Sequence, residues 1–89
     1  MERRISISLE LNGESFERRL GVVNRWLTRH SAIHVMPTEW HLQTPLTADE
    51  VRCELQPYLD PADRLLVSQV TSMSYRNLIN DDKWGRGAA

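Results

Sequence analysis

Ile5-Ser6-Ile7-Ser8-Leu9-Glu10-Leu11, at residues 5–11, decides the fold, because apolar and polar residues alternate through it without a break. A period of two sends Ile5, Ile7, Leu9 and Leu11 to one side and Ser6, Ser8 and Glu10 to the other, the mark of a strand buried on one face only. Asn12-Gly13 ends it. Ser15 or Asn12 can cap a first helix, in which Phe16, Leu20, Val23 and Leu27 recur at helical spacing to about His30. Gly21, inside that helix, costs roughly 1 kcal/mol against alanine, either for close packing against a neighbour or as a tolerated defect.

Residues 32–36 and 39–44 flank Pro37-Thr38 and pair as a hairpin. Paired about that turn, Val35 lies opposite Trp40 and Ile33 opposite Leu42 on one face, with His34 opposite His41 on the other. The turn is not of the Asn-Gly kind, so a slip by one residue is the competing register. Thr47-Ala48-Asp49-Glu50 spells a capping box, and Val51, Leu55 and Leu59 come after it at helical spacing. Pro57 should loosen this second helix before Asp60-Pro61 stops it. Arg64 to Val70 reads as the last strand, with no facing assigned, and the pattern after Ser72 specifies no element.

The order is strand, helix, strand, strand, helix, strand. Right-handed crossovers then place both helices on one face of a four-stranded antiparallel sheet, an α+β fold of the ferredoxin-like βαββαβ kind. One such domain over 1–83, with a tail over 84–89, accounts for all 89 residues. The open sheet face is expected to carry Ser6, Ser8, Glu10, His34, His41 and Gln43. RNA-recognition domains of this topology stack bases on aromatic rings at that surface, and serines in the first strand argue against such stacking.

Composition narrows the function classes. A hydrophobic content of 40% with 26% charged residues fits an ordinary folded chain, and no apolar run approaches the roughly 18 residues of a membrane span. The formal charge of −1 excludes a broad positive field, although residues 1–40 hold six arginines against five glutamates. Cys53 is the only cysteine, which excludes an internal disulfide and a cysteine-rich zinc site. With no signal-peptide pattern in Met-Glu-Arg-Arg-Ile-Ser-Ile-Ser, a reducing, cytoplasmic setting is expected. Glycine-rich phosphate loops and nucleophile elbows do not occur.

Leu9-Glu10-Leu11-Asn12, Thr38-Glu39-Trp40, Leu55-Gln56-Pro57-Tyr58-Leu59-Asp60 and Asp63-Arg64-Leu65-Leu66-Val67, with a resemblance that extends over nearly the whole chain, look like stretches of the SinR-like family. Its relatives are the small ferredoxin-like CRISPR-associated protein that partners the spacer-integration enzyme, and VapD-type proteins. Leu9-Glu10-Leu11-Asn12 is similar to that group's Tyr-Asp-Leu-Asn, and Thr38-Glu39-Trp40 to its Thr-Trp pair. Leu55-Gln56-Pro57-Tyr58-Leu59-Asp60 and Asp63-Arg64-Leu65-Leu66-Val67 look like its Leu-Lys-Pro-His-Leu-Asp and Asp-Glu-Leu-Leu-Val. The resemblance implies a homodimer of ferredoxin-like subunits, tightened by the C-terminal segment crossing to the partner. It also implies nucleic-acid binding and, in some relatives, metal-dependent nuclease activity from an Asp at the end of the first strand. Here that position is Glu10, one methylene longer and without the preceding Tyr.

Of the candidate residues, Glu10 could be a catalytic carboxylate and Mg²⁺ ligand shared across a twofold axis, against the plainer reading of a solvated carboxylate near the first helix N-terminus with Glu14. Arg18, Arg25 and Arg29, near one side of that helix, could track a phosphate backbone or simply be solvated. His34 and His41 could share a zinc ion or act as base and acid, but no third ligand or pocket accompanies them. Ser6, Ser8, His34, His41 and Trp84 are the expected dimer interface. The leading expectation is a dimeric interaction or structural protein without a cofactor. A Mg²⁺-dependent, toxin-like endoribonuclease and a non-catalytic nucleic-acid binder are the alternatives.

Overall fold

The computed structural model describes residues 1–80. Strand β1 (Arg3–Glu10) is followed by helix α1 (Phe16–Arg29), the hairpin β2 (Ile33–Met36) and β3 (Glu39–Thr44), helix α2 (Ala48–Leu55), and strand β4 (Arg64–Gln69). The sheet order is β2-β3-β1-β4, with every neighbouring pair antiparallel. This is the ferredoxin-like βαββαβ plait, its sheet backed on one face by both helices.

The alternation in β1 does what its period demands. Ile5 and Ile7 are fully buried and Leu9 nearly so, while Ser6 and Ser8 between them are only partly covered. Against them pack Val23, Trp26 and Leu27 of α1, Val51 and Leu55 of α2, and Leu42 of β3. The α1 stripe therefore turns on Trp26 at the i, i+3, i+4 spacing, and Phe16 lies outside it, 43% exposed. The Trp26 indole N–H donates to Glu54 Oε1 at 2.9 Å, tying the two helices together without orphaning a buried donor. A Cβ at Gly21 would meet nothing within 4 Å, so close packing does not explain that glycine.

Helix α2 starts on its capping box, with Glu50 N–H to Thr47 Oγ1 at 3.1 Å and Thr47 N–H to Glu50 Oε1 at 2.9 Å. Pro57 converts the helix end into one 3₁₀ turn over Gln56–Tyr58. In β4, Leu65 and Val67 face the helices opposite Leu9 and Ile7, and Leu66 faces the open side opposite Ser8.

Two expectations need correction. Neither Ser15 nor Asn12 caps α1: Ser15 sits at the N-cap with φ 64° and its side chain makes no cap bond. In the hairpin only the Met36–Glu39 pair keeps the expected register. Val35 is a bulge, after which His34 lies opposite Trp40 and Ile33 opposite His41. A two-residue turn that lacks the twist of its strands is relieved by one extra residue, and that residue moves every side chain beyond it to the other face. His34 therefore leaves the open face and stacks on Trp40, with ring centroids 4.6 Å apart.

Residues 70–80 form no regular element, yet Ile79 N–H donates to Val35 O at 2.9 Å. The chain thus travels from one margin of the sheet at β4 to the other at β2. The expected tail over 84–89, with Trp84, lies outside the described residues. Among the described residues no helix is long and apolar enough to cross a membrane.

Candidate functional site

The open sheet face brings together Arg4, Ser6 and Ser8 of β1, Glu39, His41 and Gln43 of β3, and Leu66 and Ser68 of β4. At its centre the Glu39 carboxylate holds two neighbours. It accepts from Ser8 Oγ at 3.3 Å and meets His41 Nε2 at 2.8 Å. The His41 side chain is only 6% exposed. Carboxylate between hydroxyl and imidazole is the wrong order for an activated serine, because the base must touch the nucleophile. The face is also less uniformly polar than its β1 residues imply: Leu66 is 64% exposed and Met36 47%.

Glu10 ends β1 opposite Arg64. Its Oε1 accepts from Arg64 Nη1 at 3.0 Å and from Asn12 Nδ2 at 3.2 Å, on the rim of a shallow depression of about 210 Å³ shared with Ser8, Thr38 and Leu66. A magnesium ion needs several oxygen ligands with negative charge free to meet it. Here a single carboxylate already carries a guanidinium on Oε1, and no group of three or more His, Cys, Asp or Glu converges among the described residues. The residues present do not fit the metal.

His34 and His41 lie on opposite faces of the sheet and cannot share a metal or exchange a proton. His34 Nε2 is 3.2 Å from Pro37 O. Arg18, Arg25 and Arg29 are exposed on α1, and none has an ion pair among the described residues.

The densest polar constellation was not legible as such in the sequence. Asp63, whose side chain is fully buried, takes Arg19 Nε on Oδ2 at 2.9 Å and Arg19 Nη2 on Oδ1 at 3.0 Å, a two-pronged guanidinium–carboxylate pair. It also accepts the backbone N–H groups of Asn12 and Asp60, both at 2.8 Å. Arg19 spends its other donors on Asn12 O, Glu14 O and Asp60 Oδ2. The Arg19 hydrogen bonds hold the Asp63 carboxyl down at about 2 although its burial opposes this, and the two backbone donors add to the effect. Asp63 raises Arg19 in return. Every acceptor on Asp63 is used, so the cluster is a clasp between the β1–α1 loop and the loop before β4. Its one sequence signal was the Asp60-to-Asp63 spacing.

Set beside family models, curated proteins and solved structures, the chain matches none of them.

Proposed function

We propose that this protein is a homodimeric interaction protein, related to the SinR-like family and through it to the CRISPR-associated adaptation proteins, that assembles through its sheet side. The observation that carries this reading is Leu66: a leucine 64% exposed in the middle of a strand, on a face furnished, Met36 apart, mainly with polar side chains. Burying it against a partner removes apolar surface from water at no cost to the helices on the far side. Self-association is favoured over catalysis because every acceptor of Asp63 is taken and no group of three or more His, Cys, Asp or Glu converges with Glu10 among the described residues. Size-exclusion chromatography with light scattering on the full chain tests the reading. A mass twice that of the chain is expected, and a monomer at every concentration up to millimolar overturns it.

Arg18, Arg25 and Arg29 favour a second reading, in which the dimer binds nucleic acid without cleaving it. Unpaired guanidinium groups along a helix supply phosphate contacts that release counterions. Affinity for a duplex should then fall steeply between 50 and 200 mM salt, by about tenfold or more, and drop when Arg18 and Arg25 are both replaced by Gln. Binding that ignores both changes removes this reading. A Mg²⁺-dependent nuclease would require Glu10, and cleavage unaffected by Glu10→Ala would take that residue out of it.

A further inference from the structure

The two margins of the sheet are finished differently. Strand β2 is four residues long and breaks register at Val35. Its outward carbonyls are occupied, Val35 O by Ile79 N–H and His34 O by Asn80 Nδ2 at 3.0 Å. These are the devices by which proteins blunt an edge strand. Strand β4 has none of them. It runs six residues in unbroken register against β1, with no proline and no charge after Arg64.

Its hydrogen-bonding parity is fixed by two bonds. Val70 N–H donates to Arg4 O at 2.8 Å, which turns the backbone groups of residues 64, 66 and 68 toward β1. Leu9 N–H to Thr38 O, also at 2.8 Å, gives β1 the matching alternation on its other side. The N–H and C=O groups of Leu65, Val67 and Gln69 therefore point away from the sheet, and among the described residues nothing bonds to them.

We propose that this edge receives β4 of a second copy, antiparallel about a twofold axis through Leu66, so that two four-stranded sheets become one of eight strands. The proposal rests on the homodimer reading above and names the surface that makes the dimer. Pairing that keeps both helix layers on the same side must set residues of the same face opposite one another, which places the axis at Leu66 or Val67. At Leu66 the outward groups of Leu65 meet those of the partner subunit's Val67, and the reverse, giving two hydrogen-bonded pairs. Leu66 then lies in the non-hydrogen-bonded position opposite the partner subunit's Leu66, where Cα atoms approach to about 4.5 Å and side chains touch most closely. The flank of its exposed side chain is covered by its own copy. Arg64 falls opposite the partner subunit's Ser68, so no like charges meet. An axis at Val67 would leave Leu66 against serine.

Cysteine cross-linking in a Cys53→Ser background tests the geometry. Leu66→Cys should oxidise to a covalent dimer, because about 4.5 Å between Cα atoms lies within disulfide range, whereas Ser68→Cys, separated from its copy by four rungs of the ladder, should not. Val67→Pro deletes an outward N–H that the monomer does not use, and Leu66→Lys sets two ammonium groups at the axis. Each should raise the dimer dissociation constant at least about tenfold, Leu66→Lys with circular dichroism unchanged and Val67→Pro by comparison with Val67→Ala, which loses the same packing against the core. A dimer that survives both substitutions, or that cross-links through Ser8→Cys and not Leu66→Cys, overturns the edge pairing and leaves the homodimer standing. A monomer throughout overturns both, and so does a monomer that takes up only a foreign strand.

Discussion

The molecule consists of two halves of one topology, β1–α1–β2 and β3–α2–β4, that solve the same problem by opposite means. Each must hold the loop in which a strand hands over to a helix. The second half does it within four consecutive residues, Thr47 and Glu50 bonding reciprocally across an extended N-cap. The first half makes no side-chain cap bond. Its entry loop is held from outside, by an aspartate 44 residues from the arginine that binds it. A local solution costs little to lose and is easily replaced. A long-range one makes the two halves depend on each other.

Cutting the clasp should therefore do the most damage. In Asp63→Ala the Arg19 guanidinium, 11% exposed, keeps its charge and loses two of its bonds, and the N–H groups of Asn12 and Asp60 lose their acceptor. Breaking one side of a buried, hydrogen-bonded ion pair is among the costlier single changes, and a fall in Tm of about 10 °C or more is expected by circular dichroism. Acid should act on the same group. The folded carboxyl titrates at about 2, below its ordinary 3.8, so its contribution is complete above about pH 4 and is lost as the pH falls through 2. Asp63→Asn should flatten stability over that interval, and a slope identical to that of the parent protein would show that other carboxylates carry the acid limb.

The same contrast explains what the sequence disclosed. β1 was legible because a period of two over Ile5, Ile7 and Leu9 has one reading, and α2 because a capping box is a contiguous signal. The hairpin was legible as a hairpin but not in register, since the bulge at Val35 depends on how the turn twist is absorbed in three dimensions. That one residue removed His34 from the candidate face and with it the paired-histidine site. Arg19 stood out from Arg18 in no way, because nothing local marks which of two neighbouring arginines will find a carboxylate across the fold. Glu10 was correctly placed at the end of β1, yet its carboxylate pairs with Arg64, whose facing required the β4 register.

Thr47→Ala sets the scale for the local solution. It removes the acceptor for Glu50 N–H and leaves the rest of the box without its partner, a loss of about 1 kcal/mol by urea denaturation. That loss should be clearly smaller than the one from Asp63→Ala. Equal losses would mean that the clasp is no more than a second cap.

The smallest effect, and the one of opposite sign, belongs to Ser15. At φ 64° it occupies the left-handed region, where a Cβ is crowded, and its hydroxyl makes no cap bond in exchange. Glycine adopts that conformation freely but loses more backbone entropy on folding. Since the steric relief exceeds that entropy, Ser15→Gly should stabilise the protein by about 0.5 kcal/mol, whereas a serine acting as a cap would lose stability on the same substitution. Urea denaturation with an unchanged m-value reads the sign directly. A loss would mean that the Ser15 hydroxyl caps α1 in solution, and the two halves of the molecule would then begin their helices in the same way.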